Sequence, residues 1–125
     1  MATAMQMVAA AKAKVPAITP DEARAMIGRP DVLVVDVRDP TEVAASGKLK
    51  GAVNVSRGLL EFRADPTHPY HDPAFEPSKT VLLYCASGGR SALGGAALQE
   101  LGYRDVRNLG TFKDCCEAGL ETEGP

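Results

Sequence analysis

Apolar positions in this chain gather into two continuous runs, and the stretches between them carry helix-start and helix-stop signals. Val32-Leu33-Val34-Val35 leads into Asp36 and Val81-Leu82-Leu83-Tyr84 into Cys85, while residues 51–55 and 105–109 read as two further short strands. Continuous apolar runs of this length suit strands of a parallel sheet covered on both faces. Thr19-Pro20-Asp21-Glu22 supplies an N-cap, a first-turn proline and first-turn acids, which predicts a helix over 20–27 ended by Gly28. Asp39-Pro40 repeats the signal for 41–45, and Ser56 is placed to cap a helical turn through Phe62. Residues 90–101 form the next helix, with Leu93, Ala97 and Leu101 on one face and Gly102 as its cap. Gly94-Gly95 inside it costs about 1 kcal/mol per glycine. The expected return is a close approach of this helix to the sheet.

A last helix is predicted over 111–118. Residues 63–79 hold Pro66, Pro69, Pro73 and Pro77 without periodicity and read as a long irregular excursion. Residues 1–16 read as a helical or flexible leader, helical over 3–14, and 17–125 as one domain. The alternation implies an α/β fold with a central, mostly parallel sheet of about five strands and helices on both faces.

Composition narrows the function classes. A chain of 125 residues is one ordinary domain. Fourteen basic against 16 acidic residues, net charge −2, argue against a nucleic-acid or membrane footprint. No apolar stretch approaches the ~20 residues of a membrane span. Three cysteines, two of them adjacent at Cys115-Cys116, suit neither a disulfide framework nor a zinc site, and a reducing cytoplasm is the expected location. An Ala-x-Ala occurs near the start, but Lys12 and Lys14 follow the apolar part, the reverse of a secretory signal. His68 and His71 lie in the excursion without ligand spacing, so no metal is expected.

The chemistry concentrates where the 81–84 run breaks into Cys85-Ala86-Ser87-Gly88-Gly89-Arg90-Ser91. A loop of small residues entering a helix aims backbone N–H groups and the positive end of the helix dipole at the sulfur. Arg90 adds a cation. Such surroundings lower a free cysteine from about 8.5 to roughly 3.5–7.5, which makes a reactive thiolate. Alone, a cysteine closing a buried strand is an inert core residue; four small residues directly after the sulfur instead leave room for a ligand. Gly89 and Gly94 have P-loop spacing, yet Gly95-Ala96 stands where Lys-Ser/Thr is required, and neither a dinucleotide fingerprint nor a nucleophile elbow is present. Ligands of parallel sheets bind beyond the carboxyl ends of the strands, so Asp36, Arg57 and Cys85 can converge on one crevice.

The segment 85–91 resembles the active-site loop of the rhodanese family of sulfurtransferases. The resemblance extends to Asp36-Val37-Arg38 with Glu42, to Gly47-Lys48-Leu49-Lys50-Gly51-Ala52-Val53-Asn54, and to Gly110-Thr111-Phe112 with Ala118-Gly119-Leu120, over roughly residues 17 to 122. Two positions depart from the family pattern: Lys48 stands where His is usual and Cys115 where Trp is usual. The resemblance implies a rhodanese-like domain that needs no cofactor and moves a sulfane sulfur from a donor such as thiosulfate to a thiol or cyanide acceptor. Cys85 would carry the sulfur as a persulfide, with Ala86, Ser87, Gly88, Gly89, Arg90 and Ser91 as the surrounding loop.

Asp36 and Arg38 are candidates to brace that loop, and Arg57, Arg63 and Lys113 to bind the anionic donor. Cys115 is expected to fill core space and Cys116 to be partly exposed, with a second sulfur relay as the alternative. Partners are then a small anionic sulfur donor and a thiol acceptor, small molecule or protein; the oligomeric state is not legible. Two other classes compete: a cysteine phosphatase or arsenate reductase, and a non-enzymatic persulfide-binding module. Phosphatase loops place five residues between Cys and Arg, whereas four separate Cys85 from Arg90, and Tyr84 occupies the usual His position.

Overall fold

The computed structural model describes all 125 residues. Helix α1 (Ala4–Lys14) and helix α2 (Pro20–Arg24) precede strand β1 (Val32–Asp36). Then come α3 (Pro40–Ser46), β2 (Lys48–Leu49), β3 (Val53–Asn54), a 3-10 turn (Arg57–Leu59), α4 (Leu60–Ala64) and β4 (Thr80–Cys85). The chain closes with α5 (Gly89–Glu100), β5 (Asp105–Thr111), α6 (Phe112–Glu117) and β6 (Thr122–Glu123). No helix is long and apolar enough to cross a membrane.

Strands β3-β1-β4-β5, in that order, form one parallel sheet of four strands. β2 and β6 pair separately and antiparallel. These two-residue strands carry no alternation for a sequence pattern to reveal. Lys48 ties the pair by an ion pair to Glu123 and donates to the Ala52 carbonyl at 2.7 Å.

Alternation along β4 divides the interior. Val81, Leu83 and Cys85 face one layer with Val15, Leu60, Phe75, Leu98 and Tyr103. Leu82 and Tyr84 face the other with Ile18, Ala23, Leu49, Leu109, Cys115 and Leu120. Each fully buried aliphatic side chain contributes about 1.5–3 kcal/mol, so both faces of the sheet are stabilised. Residues 1–16 place their helix on the first layer: Thr3 and Gln6 cap α1 reciprocally, Ala11 and Val15 are buried, and Gln99 of α5 donates to the Lys14 carbonyl.

Three sequence-based expectations need correction. The buried face of α5 is Ser91, Ala92, Gly94, Gly95 and Leu98, whereas Leu93, Ala97 and Leu101 are half-buried. Close approach outweighs side-chain size there. A Cβ at Gly94 would lie 2.9 Å from Leu60 Cδ2, and one at Gly95 2.9 Å from Val15 Cγ1 and 3.2 Å from Val106 Cγ1. Ser56 makes no side-chain cap; the turn after it is 3-10 and runs on into α4. Helix α2 ends at Arg24, and hydrogen-bonded turns carry the chain to Gly28. The excursion 63–79 is irregular as expected, but fully buried Phe75 pins its middle to the core.

Candidate active site

Three strand ends converge at one edge of the sheet: β1 at Asp36, β4 at Cys85 and β5 at Thr111. Cys85 is 0 % exposed. Its sulfur accepts a hydrogen bond from the Gly88 N–H at 3.0 Å and lies 3.4 Å from Ser91 Oγ. Gly88 reaches that position with φ +87°, a left-handed conformation that disfavours any residue with a Cβ. Ala86 and Ser87 form the exposed rim above the sulfur.

Burial pushes the Cys85 thiol up, but the Ser91 hydroxyl and the loop N–H groups of Ser91, Ser87 and Gly88 outweigh it, and the net shift is downward. The loop favours the anion despite its dryness. Sheet and helix also hold the loop from below. Ser91 Oγ donates to Asn108 Oδ1 at 2.8 Å, Asn108 Nδ2 donates to the Gly88 carbonyl at 3.2 Å, and the Gly110 N–H donates to Asn108 Oδ1 at 3.0 Å.

Arg90 is not the free cation that the loop sequence suggests. It donates to Glu42 at 2.7 and 2.9 Å, and this pairing drops the Glu42 carboxyl to about 2. The same carboxylate accepts from the Asp39 N–H at 2.8 Å, so the start of α3 is locked to the start of α5. Glu42 and Asn108 are the two supports absent from the sequence-based set. Glu42 had a signal, its place in the Asp36-Val37-Arg38 motif; Asn108 had none, since Asp105 and Arg107 make its strand as polar as it is apolar.

Asp36 and Arg38 brace a different segment. Fully buried Asp36 accepts from Arg38 Nε and Nη2 at 2.7–3.1 Å, and Arg38 goes on to Ser46 Oγ and the Gly47 carbonyl. The Arg38 guanidinium also stacks 4.3 Å from the Phe112 ring centroid. Neither residue bonds to 85–91, because Asp36 pairs in register with Tyr84 and shares its row, opposite the sulfur.

Arg57, Arg63 and Lys113 make no hydrogen bond or ion pair to the loop. Arg57 pairs with Glu61 at 2.6 Å, with its Cδ toward Gly94 on α5. Arg63 is exposed on α4, and Lys113 is exposed on α6 beside Glu117. Cys115 is buried where the family pattern has Trp, and Cys116 is exposed; all three cysteines are free. No group of three or more His, Cys, Asp or Glu side chains is placed to hold a metal ion. A cavity of about 530 Å³ lies on the Leu49 and Leu120 side of the sheet, away from the sulfur.

Residues 19–115 match the rhodanese-like domain. The chain belongs to that family. Over 92 residues it is 32 % identical to a tRNA uridine(34) hydroxylase of a Synechocystis species, covering 74 % of this chain and 32 % of that protein. This rhodanese-like chain therefore spans about a third of the length of the first curated relatives it matches.

Two solved structures resemble nearly the whole rhodanese-like chain. One, from Rhodopseudomonas palustris and described as a possible tyrosine phosphatase, has TM-score 0.90 and 36 % identity, covering 98 % of this chain and 96 % of that one. The other is the polysulfide-sulfur transferase homodimer of Wolinella succinogenes, with TM-score 0.76 and 33 % identity, covering 94 % and 85 %. The rhodanese-like sulfurtransferase family is thus established for this chain, and its fold is the α/β arrangement described above.

Proposed function

We propose that this protein transfers sulfane sulfur by double displacement through a persulfide on Cys85. The observation that carries the reading is a buried sulfur that accepts the Gly88 N–H at 3.0 Å inside a short loop at the start of α5. The Cys85 thiolate attacks the outer sulfur of a donor; the new bond joins Sγ to that sulfur, and the donor's S–S bond breaks. With thiosulfate, the electron pair leaves on sulfite. With a thiol persulfide, the donor leaves as the thiol. An acceptor thiol or cyanide then takes the terminal sulfur and restores the thiolate. Loop N–H groups and the dipole of α5 stabilise the charge on the persulfide, as an oxyanion hole stabilises developing charge.

The sulfur is 0 % exposed, so uptake requires the Ala86-Ser87 rim to open around the donor. Arg90 and Arg57 both stand paired with carboxylates, which weakens the pull on a dianion such as thiosulfate and favours a less charged thiol persulfide. Arg63 and Lys113 supply positive charge on α4 and α6. The cytoplasm, with its thiols, suits both half-reactions.

Intact mass of the reduced protein after incubation with thiosulfate or a thiol persulfide tests the reading. A gain of about 32 Da, reversed by cyanide and absent in Cys85→Ser, is the expected signature of the covalent intermediate. No gain with any of these donors sinks it.

The phosphatase alternative draws support from the description of the Rhodopseudomonas palustris structure. Four residues between Cys85 and Arg90 enclose one sulfur atom better than a phosphoryl group, and an Arg90 held by Glu42 is not free to clamp one. Hydrolysis of an aryl phosphate that depends on Cys85 would reverse the preference.

A further inference from the structure

Ser91 is fully buried, and its hydroxyl has one hydrogen but two neighbours able to accept it. Asn108 Oδ1 lies at 2.8 Å and the Cys85 sulfur at 3.4 Å. We infer that Asn108 is a positioning residue that steers the Ser91 hydroxyl between its own Oδ1 and the Cys85 sulfur, so that the buried sulfur keeps a hydrogen-bond partner both as thiol and as thiolate.

In the thiol state the S–H donates to Ser91 Oγ, and the Ser91 O–H donates to Asn108 Oδ1. Loss of the thiol proton to a buffer base leaves an anion, and the Ser91 O–H rotates to donate to it. Asn108 Oδ1 is not orphaned by that rotation, because the Gly110 N–H still donates to it at 3.0 Å. This second donor is what makes the rotation inexpensive: an unsatisfied buried acceptor would otherwise oppose ionisation. Asn108 stays in place through its Nδ2 bond to the Gly88 carbonyl and its backbone bonds to Pro16 and Ile18.

The remainder of the inference rests on the proposed sulfur transfer. Once Cys85 holds a second sulfur, the negative charge moves to the outer atom, and the Ser91 hydrogen returns to Asn108. The inner sulfur is then a poor acceptor. No proton or electron is consumed in this exchange.

Few charged groups compete for control of the sulfur. Arg90 on α5 is paired with Glu42 of α3, and Asp36 of β1 lies on the opposite row, paired with Arg38. β5 presents uncharged Asn108 and Thr111 at this end, and α1 presents Val8 to the loop at Gly89.

The test is the pH profile of Cys85 alkylation by iodoacetamide in a Cys116→Ser background, with the ultraviolet absorbance of the thiolate as a second readout. Ser91→Ala is expected to move the midpoint up by about one pH unit, roughly a tenfold loss of thiolate below it. Ser91→Thr restores the midpoint. Asn108→Ala leaves the hydroxyl no acceptor but the sulfur and moves the midpoint down by a smaller amount, and Ser91→Ala with Asn108→Ala together stays where Ser91→Ala alone puts it. Asn108→Ser takes the place of Asn108→Ala where that variant does not fold.

An unmoved midpoint in Ser91→Ala, or a double variant whose shift equals the sum of the two singles, overturns the inference. Alkylation needs no sulfur donor. A shifted profile in a protein that accepts sulfur from no donor therefore supports the hydroxyl switch while removing the transferase reading.

Discussion

Cys85 and Cys115 are both 0 % exposed, and they lie in the two layers on opposite faces of one sheet, yet their thiols move in opposite directions. Cys115 meets burial with only Cys116 and Asp114 as neighbouring acids, and it is pushed up to about 12. Cys85 meets comparable burial and still shifts down, because the Ser91 hydroxyl and the N–H groups of the loop point at its sulfur. Burial by itself makes a cysteine inert. Oriented donors reverse that, and here they come from the loop where β4 breaks into α5.

The largest separation is expected from removing each sulfur. Cys85→Ser should abolish cyanide-reversible sulfur uptake, a loss of at least about a thousandfold, with folding stability changed by less than about 1 kcal/mol. Cys115→Ser should do the reverse: uptake persists while urea denaturation reports a loss of about 1–3 kcal/mol for a hydroxyl buried without a partner. Equal effects in the two variants would erase the distinction drawn here.

Rigidity of the loop's support comes next. Gly95→Val forces a branched side chain against Val15 and Val106, and should lower stability by about 1–3 kcal/mol by urea denaturation. Gly88→Ala must hold φ near +87°, which costs about 1–2 kcal/mol and misaims the N–H at the sulfur. Its alkylation midpoint should rise toward that of an ordinary thiol. A midpoint left in place would mean that the Gly88 N–H contributes nothing to the anion.

The pH dependence of stability gives a smaller effect with a definite sign. For Cys115 the folded state favours the neutral thiol, so its contribution is complete below the unfolded value of about 8.5 and disappears as pH rises toward about 12. Cys85 works the other way: its contribution is present above the unfolded value and is lost as pH falls through its lowered folded value. Urea midpoints measured at pH 8 and pH 11 should therefore fall more in the wild type than in Cys115→Val. The smallest effect is expected for Glu42→Gln, about 0–1 kcal/mol, since the pair is about one-third exposed. Freed from its partner, Arg90 should lower the KM for thiosulfate, and an unchanged KM would place Arg90 outside the donor's reach.

Much of this architecture was legible from local pattern. The runs at Val32 and Val81 are strands, and α3, α5 and α6 each begin within a residue of the position that the sequence indicates. The pattern misplaced the buried face of α5 because it weights side-chain size, whereas at Gly94 and Gly95 the packed surface is backbone. It also assigned Asp36 and Arg38 to the wrong segment: nearness in sequence to a strand end says nothing about which side of the sheet a side chain takes.

The sequence by itself determined that a cysteine closes a buried strand and heads a short glycine loop at a helix start, because backbone conformation at those positions follows from local sterics and hydrogen bonding. Only the tertiary structure decided what surrounds that sulfur. Ser91 meets Asn108 across 17 residues, and Arg90 meets Glu42 across 48. Those meetings depend on which strands lie side by side and on the β4–β5 register that pairs Asn108 with Leu83, on the sulfur's side of the sheet. Register and strand order arise from the packing of both layers together, and no local window of the chain contains them.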